Sequence, residues 1–270
     1  MLGIVVELST EPLTEFEGVN DYLTQYRLLA IDLDGTLLNE AGEISAMNHE
    51  WVKKATDAGI TVCVSTGRGF KSALPIAEQL GLQTPMITVN GGEIWSKPHT
   101  LHQRTLLDSD KVAKLHALAK RYPETWFWAY SIEDIYNKER WIDNDPEAHE
   151  WLKFGYYTED KNALDGILAE IRTWDGLELS NSSPFNIEVN PSGVSKATAV
   201  EEVCRLLGIE LSQAVAVGDS LNDIAAIRAC GLGVAMGNAQ DEVKASADIV
   251  TSSNLEDGVA HLIQNYLLKA

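Results

Sequence analysis

Tyr26-Arg27-Leu28-Leu29-Ala30-Ile31-Asp32-Leu33-Asp34-Gly35-Thr36 is a short apolar run that ends in two acids, a glycine and a hydroxyl. Its first part, residues 26–32, suits a strand buried on both faces of a parallel sheet. Side chains alternate along a strand, so Asp32 and Asp34 point to one side and Leu33 to the other. Two carboxylates that close destabilise each other's ionised forms. They persist comfortably when a cation sits between them or when one is protonated. A carboxylate nucleophile beside a general acid meets both conditions. Gly35 lets the chain turn sharply after the strand. Taken alone, an Asp-x-Asp pair reads sooner as an ordinary polar loop at a strand end.

The flanking sequence repeats the strand–helix alternation. Residues 45–59 read as a helix capped by Ser45 and ended by Gly59, and residues 60–65 as a second buried strand. A helix over 70–80 closes at Gly81, and a third strand over 85–90 ends at Gly91-Gly92. Such alternation implies a parallel sheet with helices on both faces. From Glu93 the texture changes. Residues 93–187 hold six of the seven tryptophans, amphipathic helices over 111–121 and 162–174, and strands over 126–130, 134–137 and 185–189. Helix 196–207, strand 214–219, helix 223–229, strand 233–236, helix 239–245, strand 248–251 and helix 258–268 then restore the first pattern. The expected fold is therefore α/β, a Rossmann-like doubly wound parallel sheet with an inserted α+β cap domain. The catalytic core would span 25–92 and 188–270, the cap 93–187, and residues 1–24 an acidic N-terminal extension.

A formal net charge of −19 argues against nucleic acid or anionic membranes as partners, since the lysines and arginines form no separate patch. No apolar run is long enough to span a membrane, and no secretory signal is evident. Cys63, Cys204 and Cys230 lack metal-type spacing and read as reduced thiols of a cytoplasmic protein. The six histidines also lack such spacing. An acidic surface repels phosphorylated ligands, so any phosphate site must create its own local positive field.

Four short stretches each follow a predicted core strand, where ligands of open parallel sheets gather. The first holds Asp32 and Asp34. The second is Ser65-Thr66-Gly67-Arg68, whose hydroxyl and exposed backbone N–H suit a phosphoryl oxygen, although an ordinary turn reads the same way. The third is Lys196, behind the N-cap Ser195. A lysine in a first helical turn is disfavoured by a few tenths of a kcal/mol, a sign that a bound anion reverses, although in isolation a solvated surface lysine is the simpler reading. The fourth is Gly218-Asp219-Ser220-Leu221-Asn222-Asp223, whose oxygen ligands suit magnesium. Acids opening a helix also complement its dipole, so this stretch is informative chiefly in combination.

The four stretches in this order resemble the motifs of the haloacid dehalogenase superfamily. Asn90-Gly91-Gly92, Met236-Gly237-Asn238-Ala239 and Glu256-Asp257-Gly258-Val259 resemble its Cof-type subfamily, which carries a large α+β cap (subclass IIB) in the interval where the insertion lies. The resemblance implies a phosphatase acting on a small phosphorylated metabolite, as a monomer or homodimer. Asp32 would attack phosphorus and form an aspartyl-phosphate, and Asp34 would protonate the leaving oxygen and then activate water. Leu33 (through its backbone), Thr66, Gly67, Lys196 and Asn222 would hold the phosphoryl group. Mg2+ would be bound by Asp32, the Asp34 backbone carbonyl and Asp219, with Asp223 completing the set or orienting its surroundings. A phosphomutase of the phosphomannomutase type and a non-catalytic phosphate-binding protein are the alternatives. In the cap, Trp126, Trp128, Tyr130, Tyr136 and Trp141 are read as core packing in preference to a binding face.

Overall fold

The computed structural model describes residues 25–141 and 146–268. The expected extension at 1–24 lies outside the described residues. Strands β1 (Leu28–Ile31), β2 (Thr61–Ser65) and β3 (Met86–Thr88) alternate with helices α1 (Ala46–Asp57) and α2 (Phe70–Gln79). A hairpin, β4 (Glu93–Lys97) and β5 (Thr100–Arg104), follows. Next come α3 (Ser109–Lys120), β6 (Trp126–Ser131), β7 (Ile135–Asn137), β8 (Trp151–Tyr157), α4 (Lys161–Ile171), β9 (Leu177–Ser180) and β10 (Asn186–Pro191). The chain ends with α5 (Lys196–Leu207), β11 (Ala214–Gly218), α6 (Ile224–Ala229), β12 (Leu232–Ala235), α7 (Asp241–Lys244), β13 (Ile249–Val250) and α8 (Gly258–Leu262).

Eight strands form one sheet in the order β13-β12-β11-β1-β2-β3-β4-β5. Neighbours from β13 to β3 run parallel, and the β4–β5 hairpin extends the edge antiparallel. Every residue of β1 and β11 is buried, which explains their unbroken apolar runs. Leu28, Leu29 and Ile31 each contribute roughly 1.5–3 kcal/mol by burial. The connection from β1 leads outward to β2, and that from β11 leads the opposite way to β12. Right-handed crossovers therefore put α1 and α6 on opposite faces. The strand order reverses between β1 and β11, so a crevice opens beyond their carboxyl ends, where Asp32 and Asp219 begin the next loops.

The other five strands form an antiparallel sheet in the order β7-β6-β8-β10-β9, the cap. One of its faces carries Phe127, Ala129, Phe154, Tyr156, Ile187 and Val189, and packs into a core with Val112 and Leu115 of α3 and Ile167 and Ile171 of α4. Strand alternation turns Trp128, Tyr130, Lys153, Gly155 and Glu188 to the opposite face, which looks toward the crevice.

The sheets divide the chain at other points than the sequence texture suggested. Residues 93–104, expected in the cap, belong to the large sheet, β4 pairing with β3 and β5 with β4, and Trp95 stacks on Phe70 of α2 with ring centroids 3.8 Å apart. Residues 188–191, expected in the core, belong to cap strand β10. All three cysteines are free and buried.

Candidate active site

The loop after β1 starts from a backbone hydrogen bond between the Asp32 N–H and the Val217 carbonyl of β11, at 3.1 Å. This ties the first acid to the neighbouring strand end. Gly35 follows with φ +75°, in the left-handed region that disfavours a side chain. A Cβ there would come within 2.5 Å of Asp219 Oδ2, so the glycine is required for close approach as well as for the turn. Thr36 Oγ1 donates to Asp219 Oδ1 at 3.1 Å and joins the first and fourth stretches directly.

Ser45 caps α1, and Ser195 caps α5 by accepting from the Thr198 N–H. The α5 cap fixes the first helical turn, and Lys196 extends from it into the crevice. Its Nζ donates to Asp32 Oδ1 and to Asp223 Oδ1, each at 2.6 Å, with the lysine side chain 1% exposed. Asp223 Oδ2 accepts from the backbone N–H groups of Asp219 and Ser220. Gly218 leaves room for that carboxylate, since a Cβ there would overlap it. The loop after β3 passes through Val89 and Asn90 at φ 55° and 58°, a strained conformation for a β-branched residue. Gly91 then lies so close to the Ser195 carbonyl that a Cβ would be 2.5 Å from it.

Asp32, Asp219 and Asp223 present carboxylate oxygens within 4.8 Å of one another. One ammonium offsets one of their three charges and leaves two uncompensated. Burial pushes the Asp32 carboxyl well above the ordinary range; Lys196 opposes this, and Asp223 and Asp219 add to it. Burial and then Asp223 push Asp219 up to about 6, against hydrogen bonds from Thr36 and Ser220. Burial pushes the Lys196 ammonium down, but Asp223 and Asp32 more than restore it, so it stays protonated. Hard oxygen donors with an excess of two negative charges fit a divalent cation such as magnesium.

Asp34 is placed differently. Its carboxylate is largely exposed and is gripped by Arg68, outside the trio of acids. Its expected contribution to the metal was the backbone carbonyl, and its side chain lines the cleft above Asp32. Thr66 is buried, its backbone N–H held by the Ile87 carbonyl and its Oγ1 accepting from the Arg68 N–H. The side chain of Leu33 is in the core, while the backbone N–H groups of Leu33 and Gly67 donate to no group among the described residues. Asn222 donates to Asn90 Oδ1 at 3.3 Å, and its own Oδ1 is buried without a partner among the described residues. Asp32, Asp34, Thr66, Gly67 and Asn222 thus line one cleft of about 280 Å³, and Lys196 and Asp219 lie beneath it.

A second polar network joins the cap to this cleft. Lys153 Nζ of β8 donates to the Gly67 carbonyl at 2.9 Å and to Glu188 Oε1 of β10 at 3.1 Å. Asn90 Nδ2 donates to Glu188 Oε2 at 2.6 Å, and Asn190 Nδ2 donates to the Val89 carbonyl. Burial pushes the Glu188 carboxyl up, but Lys153 and Asn90 more than offset it and hold it below its ordinary value. Sequence reasoning passed over Lys153, Glu188 and the Arg68 clamp. The one available signal was an acid and a lysine placed inside otherwise apolar strands.

The aromatic residues of the cap divide between two faces. Tyr136 and Trp141 pack against the cap core as expected. Trp128 and Tyr130 do not, because α3 and α4 cover the Phe127 face of β6; both instead line the cleft.

The sequence pattern of the haloacid dehalogenase-like hydrolases matches residues 29–263. The 5-amino-6-(5-phospho-D-ribitylamino)uracil phosphatase YcsE of Bacillus subtilis (strain 168) is 44% identical over 242 residues, covering 90% of this chain and 96% of that protein. The pyridoxal phosphate phosphatase YbhA of Escherichia coli (strain K12) is 26% identical, over 90% of this chain and 99% of that one. A solved haloacid dehalogenase-like hydrolase from B. subtilis superposes with a TM-score of 0.82 at 28% identity, covering 89% of this chain and 100% of that one. With the match running through both lobes of the fold, this chain belongs to the haloacid dehalogenase-like hydrolases.

Proposed function

We propose that this chain is a magnesium-dependent phosphatase that hydrolyses a small phosphomonoester through a phosphoryl-aspartate at Asp32. The observation that carries this reading is the trio Asp32, Asp219 and Asp223, the first and last buried and Asp219 half-buried, with Lys196 between two of its members. A non-catalytic phosphate site would have no use for three crowded carboxylates at the floor of the cleft. When bound, magnesium supplies positive charge that lets a phosphate dianion approach these acids. Asp32, the Asp34 carbonyl and Asp219 would hold it. Asp223 is already engaged by Lys196 and two backbone N–H groups, so it serves chiefly to orient them.

The remaining chemistry belongs to the chain itself. Lys196 donates to Asp32 Oδ1, while Oδ2 accepts no hydrogen bond among the described residues and is the oxygen open for attack. As the Asp32–phosphorus bond forms, the bond to the leaving oxygen breaks, and Asp34 gives that oxygen a proton. Water then attacks phosphorus, returns a proton to Asp34, and releases inorganic phosphate with the Asp32 carboxylate restored. The N–H groups of Leu33 and Gly67, the Thr66 hydroxyl and Lys196 bind the phosphoryl oxygens, where charge builds in the transition state. The cap covers the cleft and restricts water and substrate.

The 44% relative makes 5-amino-6-(5-phospho-D-ribitylamino)uracil the first substrate to try. Its place of action would be the cytoplasm; among the described residues no helix is long and apolar enough to cross a membrane. The test is phosphate release from that compound and from a panel of phosphorylated metabolites, with and without magnesium, by the wild type and Asp32→Asn. Magnesium-dependent release that vanishes in the variant is expected. Wild-type turnover by Asp32→Asn would remove the mechanism.

A further inference from the structure

We infer that Trp128 is the residue by which the cleft selects its substrate, giving a planar ring on the non-phosphate end a surface to stack on. This rests on the phosphatase reading above and adds the chemical class of the leaving group. Three aromatic side chains share one face of β6, and they are not equivalent. Trp126 is outside the cleft lining. Tyr130 is occupied: the Lys153 ammonium lies 4.9 Å from its ring centroid, and its ring packs near Gly69 at the start of α2. Trp128 borders the cleft and, among the described residues, its side chain makes no ring stacking, cation–π contact or hydrogen bond. Its indole N–H therefore remains a donor without a partner.

The neighbouring strand is built around that ring. Gly155 of β8 sits directly opposite Trp128 in the antiparallel register. A Cβ at Gly155 would fall 2.3 Å from indole carbons Cε2 and Cζ2, so only glycine lets the ring rest against the sheet. Glycine weakens a strand interior, and its presence there marks a close approach. The ring is thus backed by the sheet and directed into the crevice, on the same cleft wall as Lys153, across from Asp32 and Asp34. The polar groups around it are already engaged with one another: Glu188 with Lys153 and Asn90, and Asn186 with Ser182. Few are left to read a ligand by hydrogen bonds, so selection falls to stacking and to the indole N–H. Aromatic stacking on a heterocycle is typically lost with a drop of about tenfold or more on truncation to alanine.

The experiment compares pyridoxal 5′-phosphate, a ring phosphomonoester, with glycerol 3-phosphate, which has no ring. Both kcat/KM and calorimetric affinity are measured, the affinity in an Asp32→Asn background so that turnover does not interfere. Trp128→Ala is expected to lower both quantities about tenfold for the ring compound and to leave glycerol 3-phosphate within about twofold. Trp128→Phe should restore most of the loss, and Gly155→Val, which displaces the indole, should reproduce the alanine pattern. Equal losses on both compounds, or ring binding unaffected by Trp128→Ala, would overturn the assignment. Absence of phosphate release from every compound would overturn the phosphatase reading instead, and the affinities would still decide the role of Trp128.

Discussion

The Arg68 guanidinium holds the Asp34 carboxylate through two hydrogen bonds, Nε to Oδ2 at 2.7 Å and Nη2 to Oδ1 at 2.5 Å. The pair fixes the carboxylate in orientation as well as in position. With the Asp34 side chain 61% exposed, the pair adds little to stability, because solvent screens it. Its value is geometric: it directs a freely rotating acid over the cleft.

Arg68→Met therefore tests the proton-transfer role proposed for Asp34. General acid catalysis contributes about 10²–10⁴-fold, and losing orientation without losing the acid should cost about tenfold in kcat. The loss should be larger for an alkyl phosphate than for an aryl phosphate, whose leaving oxygen departs without a proton. Steady-state kinetics on the two substrates checks this, and identical losses would mean that Arg68 serves some purpose other than aiming Asp34.

Lys196 is the counter-charge of a buried site, 1% exposed between Asp32 and Asp223. Lys196→Met leaves both acids buried without a cation, a change that costs about 3–5 kcal/mol in comparable pairs. The metal-free protein should lose about 3 kcal/mol at pH 7 by urea unfolding and recover part of it as pH falls, because burial raises the Asp32 carboxyl. Adding Asp223→Asn should destabilise less than the separate losses combined. A loss below about 1 kcal/mol at pH 7 would contradict the counter-charge role.

The strand ends and helix caps that carry the candidate site residues were legible because local chemistry dictates them. Apolar β1 and β11 run straight into Asp32 and Asp219, and α5 is capped by Ser195 at its start and by Gly208, with φ 64°, at its end. The cap was harder to read, because its strands follow tertiary demands. β8 carries Lys153 and Gly155, residues that argue against a strand until Glu188 and the Trp128 indole are known to face them. β6 alternates cleanly, yet only the position of α3 and α4 decides that Phe127, rather than Trp128, faces the core. Trp95 carried the aromatic texture of the cap but serves the large sheet by stacking on Phe70.

Glu188 gives a pH test of the cap–core network. Its carboxyl is held below its ordinary value, so its contribution is present above the unfolded-state value and is lost as pH falls through the folded one. Glu188→Gln keeps the shape and an acceptor for Asn90 but leaves Lys153 without its charge partner. At pH 7 the variant should be about 2–4 kcal/mol less stable than the wild type, and the gap should narrow below about pH 4. A gap that stays constant to the lowest pH at which both remain folded would mean that packing, not charge, explains the loss.

Asp32 and Asp219 make the opposite prediction for the protein stripped of metal. Both carboxyls are raised on folding, Asp219 from 3.8 to about 6. Between those values the folded chain holds more protons than the unfolded one, so stability falls as pH rises. Asp219 alone accounts for a fall on the order of 1–3 kcal/mol. Magnesium should reverse the trend, because its ligands must be deprotonated and its affinity grows with pH. At a hundredfold excess over Kd it should add about 2.7 kcal/mol. Thermal unfolding at pH 5, 6 and 7, in chelator and in magnesium, reads both effects. Asp219→Asn should flatten the slope in chelator and remove the magnesium shift. A variant still stabilised by magnesium to the wild-type extent would place the cation away from these acids.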